Sequence, residues 1–185
     1  DVTDAYDPKT KEYKLTIRQS TPSTPGQPSK KPFHIPVRVG LLDSKGQDMP
    51  LKLSPEQAPL LTQGDILNLK ENETTFVFQN VPEKPLPSLL RNWSAPVKLY
   101  YPYTRQQLTF LMAHDSDGFN RWEAGQKLGI DVLQELVAAH QAGDTTKQVD
   151  PQLTQAFEQV LKNEALDPTL TARALTLPSS AYLAE

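Results

Sequence analysis

Histidines are the side chains to weigh first, because imidazole titrates near neutrality and ligates transition metals. The chain has three, His34, His114 and His140, and no cysteine. A zinc hydrolase of the H-E-x-x-H type needs two histidines one helical turn apart, so that both imidazoles face one ion and the Glu between them activates the bound water. None of the three has a Glu beside it or a second His four residues on. That excludes such a site on ligand count. His34 is expected in a strand, out of phase with its apolar face and turned to solvent. His114 and His140 are expected near helix C-termini, either favouring the helix end when protonated or simply exposed at the surface. No catalytic, cofactor-binding or metal-binding residue is assigned.

Other chemistry-bearing patterns are incomplete. Asp115-x-Asp117-Gly118-x-Asn120 has part of the spacing of an EF-hand loop, but position twelve is Gln126, with one neutral oxygen in place of a bidentate Glu. The expected reading is a turn with helix caps. Asn72-Glu73-Thr74 and Asn92-Trp93-Ser94 fit the glycosylation triplet, which is common by chance. No Gly-rich phosphate loop or G-x-S-x-G elbow is present, and no Ser has a base at a meaningful spacing. Tyr100, Tyr101, Tyr103 and Trp93 could stack a sugar or peptide, but Tyr101 and Tyr103 are expected to share a strand face and pack against neighbours.

Composition narrows the class. With 185 residues, 37% hydrophobic and 22% charged, the chain is long enough for one large domain or two small ones and reads as globular. A net charge of −3 gives no electrostatic reason to expect nucleic acid or an anionic membrane. No apolar run approaches the roughly 18 residues of a membrane span. The absence of cysteine removes disulfides and thiolate ligands and is compatible with the cytoplasm. Asp1 in place of Met is expected of a mature terminus or an excised segment.

The elements that would position these groups fall into two halves. Residues 1–103 hold 14 of 17 prolines and 13 Lys+Arg against 11 Asp+Glu; residues 104–185 hold 6 against 11. The boundary is set near Tyr103, giving a β-sandwich domain at 1–103 and an α-helical segment at 104–185. In the first half Tyr13, Leu15 and Ile17 alternate with polar residues, and Phe33, Ile35, Val37, Val39 and Leu41 do the same. Pro36 argues for an edge strand or a bulge there. Asp43 to Gly46 is a turn. Ile66–Leu69, Thr74–Phe78 and Val97–Tyr101 are further strands, so an antiparallel sandwich is expected. Thr21–Pro32 reads as a stiff hairpin connection, and Val81–Leu89 likewise as a connection. In the second half Thr104 caps a first helix. Asn120 with Glu123 has the form of a capping box, with Phe119 as a hydrophobic staple. A stripe of Trp122, Gly129, Val132, Leu133, Leu136, Val137 and His140 follows, ended by Gly143. Asp150-Pro151 and Asp167-Pro168 open two more helices. Their apolar faces are Leu153, Phe157, Val160 and Leu161, then Leu170, Ala174 and Leu175. Leu177 to Leu183 reads as the start of another helix, so the helical segment is expected to be the truncated start of a larger domain.

Gln106 to Glu123, QQLTFLMAHDSDGFNRWE, with Ser94 to Leu99, SAPVKL, resembles the bacterial aminopeptidase N family of zinc peptidases. The opening DVTDAYDPKTKEYKLTIRQSTPSTPGQ and HIPVRVGLLDSKG resemble it too, in the same order. These are packing and turn sequences; the H-E-x-x-H motif and the family's G-A-M-E-N segment are missing. The resemblance implies an immunoglobulin-like sandwich followed by about four helices. It implies a non-catalytic scaffold linking a catalytic domain to a C-terminal helical cap. On that reading Zn²⁺ belongs to the parent enzyme, with no cofactor in this chain. The partners are neighbouring domains of the same polypeptide, and peptide substrates for the parent; nucleic acid and membrane are not expected. The expected location is the cytoplasm. The alternative is a free-standing β-sandwich that binds a peptide or glycan, since sandwiches host many functions.

Overall fold

The computed structural model describes residues 1–164 and 166–183, together with every side chain among them but that of Tyr182. It divides into two compact units, Asp1–Pro102 and Tyr103–Glu185.

The first unit is an antiparallel sandwich, as expected. One sheet has the order β1 (Val2–Asp7), β2 (Glu12–Arg18), β6 (Glu73–Phe78). The other runs β4 (Leu61–Thr62), β5 (Ile66–Leu69), β3 (Ile35–Leu42), β7 (Leu86–Leu89). The alternation in β2 survives folding: Tyr13, Leu15 and Ile17 are buried, and Lys14 and Arg18 are exposed. They share a core with Phe76 and Phe78 of β6, Val37, Val39 and Leu41 of β3, and Leu67 and Leu69 of β5.

Pro36 is accommodated by a change of partner along β3. Ile35–Arg38 pairs with β5, whereas Val39–Leu42 pairs with β7. Val39 N–H points to the β5 side, at Asp65 O (2.9 Å). Arg38 N–H points to the other, where it meets Ser94 Oγ (2.9 Å) in place of a strand. Pro36 therefore lacks its donor on a side with no ladder, a local edge in a central strand.

Four expectations need correction. Val81–Leu89 contains a strand, β7, despite Pro85 and Pro87. An edge strand tolerates proline, because a ring nitrogen facing away from β3 costs no ladder hydrogen bond; Pro87 itself is buried. Val97–Tyr101 is not a strand: it runs extended between Pro96 and Pro102, and Val2 N–H donates to Tyr100 O (2.9 Å). Thr21–Pro32 is not a hairpin loop, because β2 and β3 lie in different sheets. Phe33 and His34 precede β3 and are exposed.

Two glutamine side chains extend the backbone pairing. Gln57 donates to Thr75 O (2.7 Å) and accepts from Val77 N–H (2.8 Å) along β6. Gln19, just past β2, does the same to Phe33 (2.8 Å each way) and also donates to Glu71 O (2.9 Å).

The second unit holds α1 (Arg105–His114), α2 (Gly118–Gln141), α3 (Pro151–Lys162), α4 (Pro168–Ala174) and a single turn, α5 (Ser180–Leu183). Thr104 and Gln107 form a reciprocal capping box. Asp150 and Asp167 each cap a helix whose first residue is proline. Gly143, at φ 84, follows the end of α2. The cap of α2 is Asp117, three residues before the expected Asn120, with Gly118 as the first helical residue. The buried stripe of α2 also moves: Ala124, Gly125, Leu128 and Val132 are buried, while Val137 and His140 are exposed. In α3 the buried residues are Leu153, Ala156 and Val160; Leu161 is 65% exposed.

Candidate functional site

The α1–α2 junction concentrates buried polar groups. Asp115 N–H closes α1 on Leu111 O (2.9 Å), and its Oδ1 accepts from Asp117 N–H (3.0 Å). Asp117 Oδ1 accepts from Asn120 N–H (2.9 Å). Arg121, one turn into α2, reaches back so that its Nε–H donates to Asp115 O. Asp115 is fully buried, and Asp117, Asn120 and Arg121 nearly so. Burial lowers the Arg121 pKa, and the Asp115 charge opposes that shift. A carboxylate that stitches two helix ends through backbone N–H groups is a folding device. Gln126, at loop position twelve, donates to Thr176 O (2.7 Å) beyond α4.

The histidines are divided between the two units, His34 in the first and His114 and His140 in the second. His34 Nε2 hydrogen-bonds Asn68 Oδ1 (2.7 Å) in the sandwich unit. His114 ends α1, its ring tilted against Phe110 with centroids 4.6 Å apart, and His140 lies in the last turn of α2. The His114 pKa is lowered, by burial first and then by Arg121. That shift opposes an imidazolium at this helix end, while the residue itself lies exposed, the other of the two placements expected for it. Among the described residues no group of three or more His, Cys, Asp and Glu is placed to hold a metal ion. The described residues do not fit Zn²⁺.

The aromatic residues are likewise dispersed. Tyr101 turns into the sandwich and donates to Asp4 Oδ1 (2.8 Å); burial, then that carboxylate, raises its pKa far above the ordinary phenol. Tyr100 and Trp93 are exposed. Both triplet asparagines, Asn72 and Asn92, are exposed in turns.

Two clusters were not legible in the sequence. In the helical unit, Arg105 binds three carboxylates: Asp131 (2.5 Å) and Glu135 (2.7 Å) of α2, and Asp150 (2.6 Å), the cap of α3. Lys147 closes on Glu135 from the α2–α3 loop. The carboxylates raise the Arg105 pKa. Glu135 is held below its ordinary value by Lys147 and then Arg105, and Asp150 by the Gln152 N–H and then Arg105. Five residues spread over 46 positions make this network, so no local motif announces it.

In the sandwich, Arg91 lies over Gly40 of β3, where a Cβ would fall 2.0 Å from its Cζ. Its Nε–H donates to Ser88 Oγ (2.9 Å) and its Nη2 pairs with Asp48 (2.7 Å). The flanking backbone is strained: Leu90, Asn92 and Trp93 have φ of 58, 53 and 52°. Left-handed conformations cost L-residues roughly 1–2 kcal/mol each, less for Asn. The one available signal was Gly40, a glycine inside an apolar strand, which marks a close approach.

Residues 1–102 match a family model described as a domain of unknown function (DUF3458) with an Ig-like fold. Residues 105–185 match one described as a domain of unknown function (DUF3458_C) with ARM repeats. The chain is 44% identical, over 184 residues, to aminopeptidase N of Escherichia coli, covering 100% of this chain and 20% of that protein. It is 38% identical to aminopeptidase N of Haemophilus influenzae, with the same coverage. Among solved structures, it resembles Legionella pneumophila aminopeptidase A in complex with aspartic acid. The TM-score is 0.73 at 31% identity, over 98% of this chain and 18% of that one. The chain thus spans about a fifth of the curated relatives with these identities.

Proposed function

The chain belongs to the aminopeptidase N family, and we propose that it is a non-catalytic scaffold segment of a longer zinc-dependent aminopeptidase. In that enzyme the sandwich would space the catalytic domain from a C-terminal helical cap, and the helices here would begin the cap. The hydrolysis of N-terminal residues from peptides would belong to residues outside these 185, and the place of action to the cytoplasm. The observation that carries this reading is the end-to-end match to one fifth of aminopeptidase N. The described residues hold no group of three or more His, Cys, Asp and Glu placed for a metal ion. No helix among them is long and apolar enough to cross a membrane.

The test compares the purified 185-residue chain with the protein encoded by the full open frame around it. Zinc content and release of N-terminal residues from peptides are measured on both. The full-length protein is expected to bind zinc and release residues, and the isolated chain to do neither. Stoichiometric zinc with peptide hydrolysis by the isolated chain would overturn the proposal, as would a full-length protein lacking both.

A further inference from the structure

We propose that the turn Leu90–Trp93 and the extended run to Tyr100 form a docking surface, with Trp93 as its anchor, for an apolar cleft in the remainder of the parent polypeptide. This rests on the reading of the chain as a segment of a longer aminopeptidase.

Three observations converge on it. Of the four large hydrophobic residues exposed in the sandwich unit, three lie in this stretch: Trp93 (59%), Val97 (38%) and Tyr100 (64%). Clustered apolar exposure of this kind marks interaction sites, whereas single exposed residues do not. The stretch is also poor in charge, with Lys98 the only charged residue from Asn92 to Tyr100. Depletion of charge around an exposed Trp is the composition of an interface centre.

The second observation is that Trp93 is held in place. Its own φ of 52° and those of Leu90 and Asn92 are sparsely populated conformations, which persist where the surroundings impose them. Here Arg91 imposes them, seated in the space left by the absent Cβ of Gly40 and bonded to Ser88 and Asp48. Ser94, the next residue, is fixed from the other side by Arg38 N–H. A side chain presented on a rigid, strained turn loses little entropy on docking.

The third concerns the occupant. The chain spans 20% of the aminopeptidase N sequences it matches, so four fifths of such a polypeptide is available to cover the surface. A partner within the same polypeptide is present at high effective concentration, so a surface of this modest size suffices.

The test is amide hydrogen exchange of peptides spanning residues 90–100, in the isolated chain, in the full-length parent, and in parent carrying Trp93→Ala or Trp93→Phe. Exchange in the wild-type parent is expected to be at least tenfold slower than in the isolated chain. Trp93→Ala should restore the fast rate, and Trp93→Phe should keep most of the protection. Equal exchange in parent and isolated chain, with the parent active, would overturn this inference while leaving the scaffold reading intact. Protection already present in the isolated chain, alone or through self-association on gel filtration, would overturn it too by showing a different occupant. An inactive, zinc-free parent would sink the scaffold reading first.

Discussion

Gly40 shows how one residue's missing atoms can organise a fold. A Cβ at that position would overlap all three terminal atoms of the Arg91 guanidinium, at 2.0 to 2.3 Å. Gly40→Ala therefore forces Arg91 out of its seat, and Ser88 Oγ and Asp48 lose their partner. We expect destabilisation of about 1–3 kcal/mol, the usual cost of overpacking a filled site. A urea titration reads this as a lower midpoint with unchanged slope; an unchanged midpoint would show that Arg91 relocates without cost. The histidines make the complementary case. Their number and spacing were enough to remove H-E-x-x-H chemistry from consideration. Sequence could not foresee that burial, and then Arg121, would oppose protonation of His114, since both depend on what folds back over the helix end.

Among the elements, the first three helices bury apolar residues such as Leu108, Met112, Leu128, Val132 and Leu153, and a charge network around Arg105 also links them. Glu135 and Asp150 have folded pKa values below their ordinary 4.5 and 3.8. A carboxyl depressed in the fold contributes stability that is complete above its unfolded pKa and lost as pH falls through the folded value. The network should thus be intact at neutral pH and dissolve below the ordinary carboxylate range. The first amide to lose protection should be that of Gln152, which Asp150 caps. An NMR acid titration checks this. Arg105→Gln should move the onset upward only in part, because the Gln152 N–H and Lys147 continue to act on Asp150 and Glu135. Simultaneous loss of all helical amides would argue against the network as the point of acid release.

Legibility at this scale followed locality. Thr104, Asp150-Pro151, Asp167-Pro168 and Gly143 were readable because a cap and its partner lie within four residues. β7 was not, because Pro85 before it and Pro87 within it deny strand propensity, and only pairing with β3 supplies the reason for it. Asn120 and Asp117 are both good caps. The choice of Asp117 depends on Asp115 and on the return of Arg121, which lie outside any capping window.

At the scale of the molecule, each unit has its own buried residues, and among the described residues the sandwich core runs from Val2 to Tyr101. Residues 1–102 expressed alone should accordingly give a β-type circular dichroism spectrum and one cooperative thermal transition. A disordered fragment would mean that the sandwich core is insufficient by itself. Family and fold class were legible from long co-occurring segments; Arg105 and Arg91 were not, since both work through residues distant in sequence. The glutamines at the sheet margins carry a last consequence. A bare strand margin offers its N–H and C=O groups to any passing chain, and is a template for aggregation. The Gln57 amide occupies one acceptor and one donor of β6, and the Gln19 amide engages Phe33 and Glu71 beyond the end of β2. Each works as a strand one residue long. It satisfies the hydrogen bonds a foreign strand would seek, yet has no second edge to pass them on. Part of the hydrogen bonding at these margins is thus met by two uncharged side chains, where hydropathy and net charge register nothing.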